Sequence, residues 1–200
     1  MSTAPSLRRV AVFSGSRPGA RPSYAEDAAR LGRTLATRGI GLVYGGASVG
    51  LMGAVANAVI AAGGETVGVI PRGLAAKEIA HEGLTELRVV ETMHERKAMM
   101  AELSDGFIAL PGGFGTFDEL FEIVTWAQIG IHRKPVALLD TEGYFQPLRA
   151  LVRRAVEEGF ALPEHADLFL FDGDPDRLLA SMSTYAPPAL GPKWMTVREV

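Results

Sequence analysis

The segment of this sequence best suited to chemistry contains Gly112, Gly113, Gly115, Thr116 and Glu119. An apolar run at 106–110 precedes it and predicts a buried strand, and apolar residues with the spacing of one helical face follow it. A helix start offers free backbone N–H groups and the positive end of the helix dipole, and glycines let an anion approach them closely. The segment therefore predicts a phosphate-binding turn, with Glu119 one helical turn away from the bound group.

The same residues also have a purely structural interpretation. Thr116 and Glu119 have the Thr-x-x-Glu spacing of a capping box, in which the two residues satisfy each other's backbone N–H groups. Glycines beside a turn can serve the turn alone. Taken alone, the segment leaves both interpretations open.

Two further glycine turns follow predicted strands. Gly15 follows the first strand, and Gly45 and Gly46 follow the second. In a parallel sheet the carboxyl ends of the strands share one edge, where ligands bind. We therefore expect the three turns to form one site, with ligand approach at Gly45 and Gly46 and helix packing at Gly50 and Gly53.

Strand and helix signals alternate along the whole chain, which predicts an α/β fold: a Rossmann-like, doubly wound parallel sheet of about seven strands with helices on both faces. We predict one domain over residues 1–200, with an irregular tail at 186–200. The predicted strands are 10–13, 40–44, 66–70, 87–90, 106–110, 135–139 and 168–171. Besides the helices that follow the second and third glycine turns, the predicted helices are 24–38, 92–103, 144–158 and 175–185.

The composition excludes several classes of protein. With 48% hydrophobic and 22% charged residues, the chain can bury a substantial core, and a net charge of -3 argues against a general nucleic-acid binder. The absence of cysteine excludes disulfides and thiolate nucleophiles, and the four histidines lack metal-ligand spacing. No signal peptide or membrane-spanning run is apparent, so we expect a cytoplasmic protein without a membrane partner or a bound metal.

Charged residues precede the central turn in two places. The segment 72–86 has no clear period and carries Glu78, and a loop of this length in a compact domain is often functional. The helix predicted at 92–103 begins with the capping-box spacing Thr92-x-x-Glu95 and carries Arg96 and Lys97 in its first turns.

Residues 111–119, Pro-Gly-Gly-Phe-Gly-Thr-Phe-Asp-Glu, resemble the PGGxGTxxE motif of the LOG ("lonely guy") family. Its members are cytokinin riboside 5'-monophosphate phosphoribohydrolases that have also been labelled lysine decarboxylases. Residues 93–97 resemble the family's second signature, which contains an arginine–lysine pair, and segments 45–53 and 125–128 match as well. The resemblance extends over roughly residues 10–160. It departs mildly at Ser14-Gly15-Ser16-Arg17, where many relatives have CGSS.

The resemblance implies a homodimer that cleaves the N-glycosidic bond of a nucleoside 5'-monophosphate, giving a free base and ribose 5-phosphate without a cofactor. It implies Arg96 and Glu119 as the catalytic pair. Together with the glycine turns, it gives the substrate-binding residues Gly15, Gly45, Gly46, Glu78, Lys97, Gly112, Gly113, Phe114, Gly115, Thr116 and Thr125.

These residue types suit that reaction. Breaking a ribosyl C–N bond builds positive charge on the sugar, which carboxylates stabilise in glycoside chemistry. The sequence leaves open whether Glu119 stabilises this charge, activates water or forms a transient ester. Arg96 stays protonated, so it fits an electrostatic role better than proton donation.

Other functions remain open at this level. A nucleotide or pterin-cofactor carrier on the same fold would need the phosphate-binding turn but not the acid. A general nucleoside 5'-monophosphate hydrolase would need both. A pyridoxal-phosphate-dependent lysine decarboxylase would need a Schiff-base lysine, and nothing else in the sequence suggests that cofactor. Preference for a prenylated adenine would depend on an apolar pocket, for which Met93, Met99 and Trp126 are candidates.

Overall fold

We describe residues 7–75 and 81–189 of the protein from a computed structural model. Seven parallel strands form one sheet in the order β4-β3-β2-β1-β5-β6-β7, which confirms the predicted fold class. The strands are β1 (Arg9–Phe13), β2 (Gly41–Tyr44), β3 (Thr66–Pro71), β4 (Glu86–Val90), β5 (Gly106–Ala109), β6 (Val136–Leu139) and β7 (Phe169–Asp172).

Helices cover both faces of the sheet. They are α1 (Pro22–Thr37), α2 (Gly50–Ala61), α3 (Arg72–Ala75), α4 (Met93–Leu103), α5 (Phe114–Gln128), α6 (Gln146–Glu157) and α7 (Pro175–Ser183). Side chains alternate along each strand, so β1 contributes Val10 and Val12 to the core beneath α1, α2 and α7. Phe13 of the same strand packs into the second core, beneath α4, α5 and α6.

The order of the strands reverses beside β1. Val10 of β1 pairs with Leu42 of β2 on one side and with Gly106 of β5 on the other. Such a switch point leaves a crevice at the carboxyl ends of the strands, because the connections on its two sides run in opposite directions. The turns after β1, β2 and β5 therefore meet at the edge where the sequence predicted a site.

Several predicted boundaries differ from the structure. The helix predicted from the spacing of residues 117–131 begins at Phe114 and ends at Gln128. Short 3-10 helices at Thr141–Gly143 and Pro163–Leu168 were not predicted. Within the predicted tail, residues 186–189 have no regular structure, and the remainder lies outside the described residues. None of the described helices combines the length and apolar character that crossing a bilayer requires.

Candidate active site

A cavity of about 360 Å³ opens at the carboxyl edge of the sheet, at the switch point. Its walls come from the turns after β1, β2 and β5, from Ile70 of β3, and from residues of α2, α3, α4 and α5. Eight of the residues predicted for the site line it: Gly15, Gly45, Arg96, Gly113, Phe114, Gly115, Thr116 and Glu119. The structure thus brings most of the predicted site, including both candidate catalytic residues, into one cavity.

Arg96 and Glu119 form a buried ion pair across the gap between α4 and α5. Arg96 Nη1 donates to Glu119 Oε1 at 2.6 Å, and the two side chains are only 10% and 9% exposed. Arg96 Nε donates to the carbonyl oxygen of Val69 in β3 at 3.1 Å, which fixes the plane of the guanidinium. Within the described residues, Arg96 Nη2 has no acceptor and Glu119 Oε2 has no donor, so each keeps bonding capacity at the cavity.

Burial and the contact with Arg96 have opposite effects on the pKa of Glu119. Burial raises the pKa of Glu119, while the charge and the hydrogen bond of Arg96 lower it. The net shift is upward, because removing a carboxylate from water disfavours its ionised form more than this single guanidinium favours it. A raised pKa in a cavity is typical of groups that act on a substrate.

The turn after β2 leaves room for the guanidinium of Arg96. A Cβ atom at Gly45 would lie 2.3 Å from Arg96 Nη2. At this distance no side chain fits at position 45 unless the arginine moves. Glycine at this position therefore makes space for the arginine in addition to lining the cavity.

The start of α5 differs from the predicted capping box. Gly113 is the N-cap residue, and Thr116 lies inside the first turn with no capping role. Glu119 pairs with Arg96 instead of folding back to Thr116. The capping interpretation is therefore wrong for Thr116-x-x-Glu119, because the helix begins earlier than the apolar spacing indicated. By contrast, Thr92 does cap α4 by accepting from the backbone N–H of Glu95 at 3.1 Å.

With no side chain at the N-cap, the first N–H groups of α5 open towards the cavity. Behind them, Gly112 packs against the side chain of Thr116, and a Cβ at position 112 would lie 2.1 Å from Thr116 Oγ1. The hydroxyl of Tyr144 donates to the carbonyl oxygen of Gly112. These contacts hold the glycine turn, residues 112–116, in place from inside the turn and from the segment before α6.

The turn after β1 is joined directly to the turn after β5. The N–H of Gly15 donates to the carbonyl oxygen of Pro111 at 3.1 Å. A second cavity, of about 480 Å³, lies on the other side of this junction and shares Gly15, Ser16, Gly113 and Phe114 with the first. Of these two cavities Gly112 lines the second, so it supports the turn from behind.

Several residues of the cavity were not predicted. Ser14 lines it, and its hydroxyl is buried without a hydrogen-bond partner in the described part of the chain. The sequence signal that could have identified Ser14 is its position directly after β1. Met52, Ile70 and Leu74 form an apolar wall together with Met93, the one member of this group that the sequence singled out. These residues are far apart in the sequence, so the sequence alone does not show that they are close in the fold.

Lys97 lies beside the Arg96–Glu119 pair but contacts other partners. Its Nζ atom is 3.1 Å from Asp118 Oδ2 and 3.1 Å from Glu122 Oε1, and its side chain is 8% exposed. Burial lowers the pKa of Lys97, but hydrogen bonds to Glu122 and Asp118 outweigh this and raise it overall. Among the described residues that line the cavity, Asp118 is present and Lys97 is not.

The structure does not bring Gly46, Thr125 or Met99 to the described lining of the cavity. Gly46 has a positive φ of 77° and packs near Ile70 and Leu87, which indicates a turn and packing role. Thr125 is exposed on α5, away from the cavity lining. Met99 packs against the core. Glu78 lies outside the described residues.

Trp126 lines a different cavity, of about 450 Å³, between α4, α5 and the loop before β6. This cavity also contains His132, whose Nε2 atom is 2.9 Å from the carbonyl oxygen of Ile123 and whose Nδ1 accepts from the backbone N–H of Lys134 at 3.1 Å. Burial lowers the pKa of His132 to about 4, so the ring is neutral near pH 7. Trp126 therefore belongs to the core beneath α4 and α5, and His132 is a satisfied structural group.

Comparison with known proteins places the chain in one family. A family model described as "possible lysine decarboxylase" matches residues 52–182. A rice (Oryza sativa subsp. japonica) protein named "probable cytokinin riboside 5'-monophosphate phosphoribohydrolase" is 50% identical over 93% of this chain and 76% of its own length. An Arabidopsis thaliana protein named "cytokinin riboside 5'-monophosphate phosphoribohydrolase" is 47% identical over 90% of this chain and 84% of its own length.

Solved structures show the same fold at much lower sequence identity. A molybdenum cofactor carrier protein from Chlamydomonas reinhardtii has a TM-score of 0.65 and 22% identity, covering 86% of this chain and 94% of its own. A molybdenum cofactor binding protein from Rippkaea orientalis has a TM-score of 0.64, also at 22% identity, covering 86% of this chain and 93% of its own. These likenesses establish the fold alone. The identity to the plant proteins is far higher and spans nearly the whole chain, and on that ground the chain belongs to the LOG family.

Proposed function

We propose that this protein hydrolyses the N-glycosidic bond of cytokinin riboside 5'-monophosphates, giving a free cytokinin base and ribose 5-phosphate. One observation carries the proposal: the buried Arg96–Glu119 pair lies in the same cavity as the glycine-lined N-terminus of α5. The first feature suits charge at a breaking glycosidic bond, and the second suits a phosphate. The names of the plant relatives support the same reaction.

The phosphate binds at the start of α5, where backbone N–H groups and the helix dipole favour an anion. Because the phosphate is remote from the N-glycosidic bond, its binding energy serves to orient the ribose at the reacting centre. Glu119, whose Oε2 has no donor in the described structure, faces the positive charge that develops on the ribose ring. Arg96 keeps Glu119 in place, and its Nη2, which has no acceptor among the residues that the structure describes, donates to the substrate.

The reaction is balanced by one water molecule. The bond between C1' of the ribose and the base nitrogen breaks, and a water oxygen forms the new bond to C1'. One proton of that water ends on the base and the other remains on the new hydroxyl group. No oxidant, reductant or second substrate is consumed.

The apolar wall supports preference for an N6-substituted adenine. Met52, Ile70, Leu74 and Met93 offer contacts to a prenyl group, and the last two are 41% and 43% exposed at the mouth of the cavity. Each methylene-sized contact contributes about 1–3 kcal/mol of discrimination. AMP is accordingly a slower substrate than its prenylated form.

The test is release of ribose 5-phosphate from N6-isopentenyl-AMP and from AMP, measured side by side. We expect both to be cleaved, with the higher kcat/KM for the prenylated substrate. Glu119→Gln keeps an acceptor for Arg96 but removes the charge, and should reduce kcat by about 100-fold or more. Glu102→Gln, at an exposed carboxylate on α4 outside the cavity, is the matched control and should keep full activity.

Other outcomes separate the alternatives. Equal cleavage of many nucleoside 5'-monophosphates would indicate a general nucleotide hydrolase. Binding of nucleotide without cleavage would indicate a carrier, and the structural neighbour from Chlamydomonas is named as a carrier, of the molybdenum cofactor. Wild-type activity in Glu119→Gln would contradict the assignment of the catalytic carboxylate.

The protein is further proposed to be a homodimer. Phe114 is 91% exposed and Phe121 is 42% exposed, and their spacing places them on one face of α5. Exposed aromatic residues on one helix face are typical of contacts between subunits. Light scattering after gel filtration should give twice the monomer mass, and Phe114→Ser with Phe121→Ser should shift the protein to the monomer.

A further inference from the structure

Two ion-paired groups link α4 and α5 side by side. Consecutive residues on α4, Arg96 and Lys97, face consecutive residues on α5, Glu119 and Asp118. Lys97 has a second carboxylate partner in Glu122, one helical turn beyond Asp118. The Lys97 side chain is as deeply buried as the catalytic pair, with 8% of its surface exposed.

We propose that Lys97 is a positioning residue for the reaction proposed above: its ammonium group holds Asp118 and Glu122 so that Glu119 stays ionised and correctly oriented, and it does not bind the substrate phosphate. The inference rests on the proposed function, which makes Glu119 the catalytic carboxylate. It departs from the role that family resemblance gives this lysine.

The contacts of Lys97 argue against a phosphate ligand. Both carboxylates lie within 3.1 Å of its Nζ atom, and the lysine is absent from the described lining of the cavity. Reaching a phosphate at the start of α5 would require the ammonium to leave two carboxylates. The Lys97 side chain is 8% exposed and that of Glu122 is 23% exposed. Breaking this largely buried pair would leave uncompensated charge, so that movement is costly.

The charges around Glu119 explain why the lysine is needed. Arg96 and Lys97 face it from α4, and Asp118 and Glu122 belong to its own helix, while β3 contributes only the Val69 carbonyl group that binds Arg96. After burial, which raises the pKa of Glu119, the positive charges of Arg96 and Lys97 lower it and the charge of Asp118 raises it. Without Lys97, three neighbouring carboxylates would share a single cation.

The orientation of the helices depends on the same contacts. Asp118 is 61% exposed and lines the cavity, and within residues 7–75 and 81–189 its bond to Lys97 is the one side-chain contact that restrains it near Glu119. Glu122 Oε2 is buried and has no hydrogen-bond partner in the described chain, which leaves Lys97 as the group that balances its charge. Lys97 thus joins the first two turns of α5 to α4.

The experiment compares Lys97→Met, which removes the charge at similar length, with Lys97→Arg, which keeps it. For Lys97→Met we expect the acid limb of the pH profile of kcat/KM to move to higher pH, with KM for the nucleotide changed less than tenfold. Lys97→Arg should restore the limb. Arg33→Gln, at an exposed cation on α1, controls for loss of one positive charge and should leave the profile unchanged.

A phosphate ligand would give a different result. Loss of a hydrogen bond to a charged group would raise KM by roughly 10- to 100-fold and leave the acid limb in place. Either that pattern, or a Lys97→Met enzyme indistinguishable from wild type in both limb and KM, would overturn the inference. If Lys97→Met does not fold, Asp118→Asn provides a second test, because removing this negative charge should move the limb to lower pH.

A measurement without substrate separates this inference from the proposed function. The titration of the Glu119 carboxyl is followed by carbon-13 NMR in the free protein, with Glu119→Gln used for assignment. Its pKa should rise in Lys97→Met and return in Lys97→Arg. An unchanged pKa in an enzyme that cleaves nucleotides refutes the role of Lys97 alone, whereas an inactive wild-type protein with the expected pKa change refutes only the proposed reaction.

Discussion

A Cβ atom on Gly45 would lie 2.3 Å from Nη2 of Arg96. The guanidinium of Arg96 therefore occupies the space that any other residue at position 45 would need. This contact connects the turn after β2 to the Arg96–Glu119 ion pair, although 51 positions separate Gly45 from Arg96 in the sequence.

Gly45→Ala is expected to impair catalysis by displacing Arg96. The added methyl group would push Nη2 away, which loosens the bond to Glu119 and lowers kcat/KM by about 100-fold. Stability should fall by about 1–3 kcal/mol, as in other overpacked sites. Steady-state kinetics and urea denaturation measure the two effects.

Gly73→Ala is the matched control for this change. Gly73 lies in α3 and a Cβ there would meet no atom within 4 Å, so the same substitution should leave activity intact. Wild-type kinetics in Gly45→Ala would show that Arg96 does not need its observed position.

Gly115→Ala should improve stability and weaken substrate binding at the same time. Gly115 has no positive φ and a Cβ would meet no atom within 4 Å, so alanine in this helical turn should stabilise the protein by about 0.5–1 kcal/mol. The methyl group would, however, stand where a phosphate approaches the N-terminus of α5, and KM should rise about tenfold. An unchanged KM would locate the phosphate elsewhere.

The raised pKa of Glu119 predicts the acid limb of activity. Because the ionised carboxylate is the active form, kcat/KM should decline as the pH falls through a pKa that lies above the ordinary value for glutamate. The residual rate of Glu119→Gln should lack this limb. For stability the sign is opposite: ionisation of a buried carboxylate is unfavourable, so the unfolding free energy of wild type relative to Glu119→Gln should decrease as the pH rises through the same pKa.

His132 predicts a loss of stability in acid that is independent of the active site. Its pKa is lowered to about 4 by burial, so the folded protein resists protonation that the unfolded chain accepts near pH 6.5. Stability should be complete above pH 6.5 and decrease by up to about 3 kcal/mol as the pH falls to about 4.

Denaturation series from pH 7 to pH 4 test this contribution. His132→Gln can keep both hydrogen bonds without titrating, so it should remove this part of the pH dependence. His94→Gln, at an exposed position on α4, should not. Parallel curves for wild type and His132→Gln would contradict the assignment.

The fold was predictable because apolar runs, glycine turns and helical spacing agree along the chain. Seven strands and the shared edge for Gly15, Gly45 and Gly113 follow from that alternation alone. Arg96 and Glu119 were identified from their motifs, and the structure places them 2.6 Å apart.

The contacts that could not be predicted from the sequence depend on how helices and strands are oriented relative to one another. Lys97 adjoins Arg96 in the chain, but successive helical residues point about 100° apart, so the two side chains meet different partners. Trp126 and Thr125 do not line the described cavity for the same reason. The apolar wall of Met52, Ile70 and Leu74 forms only when α2, β3 and α3 come together.

All described residues that line the catalytic cavity lie between Ser14 and Glu119, and β6, α6, β7 and α7 supply none of them. A mutant library aimed at a different base can therefore be restricted to the codons for residues 14–119. Changes further along the chain would alter expression and thermal tolerance before they altered substrate choice, with the exception of Tyr144, whose hydroxyl supports the glycine turn from behind.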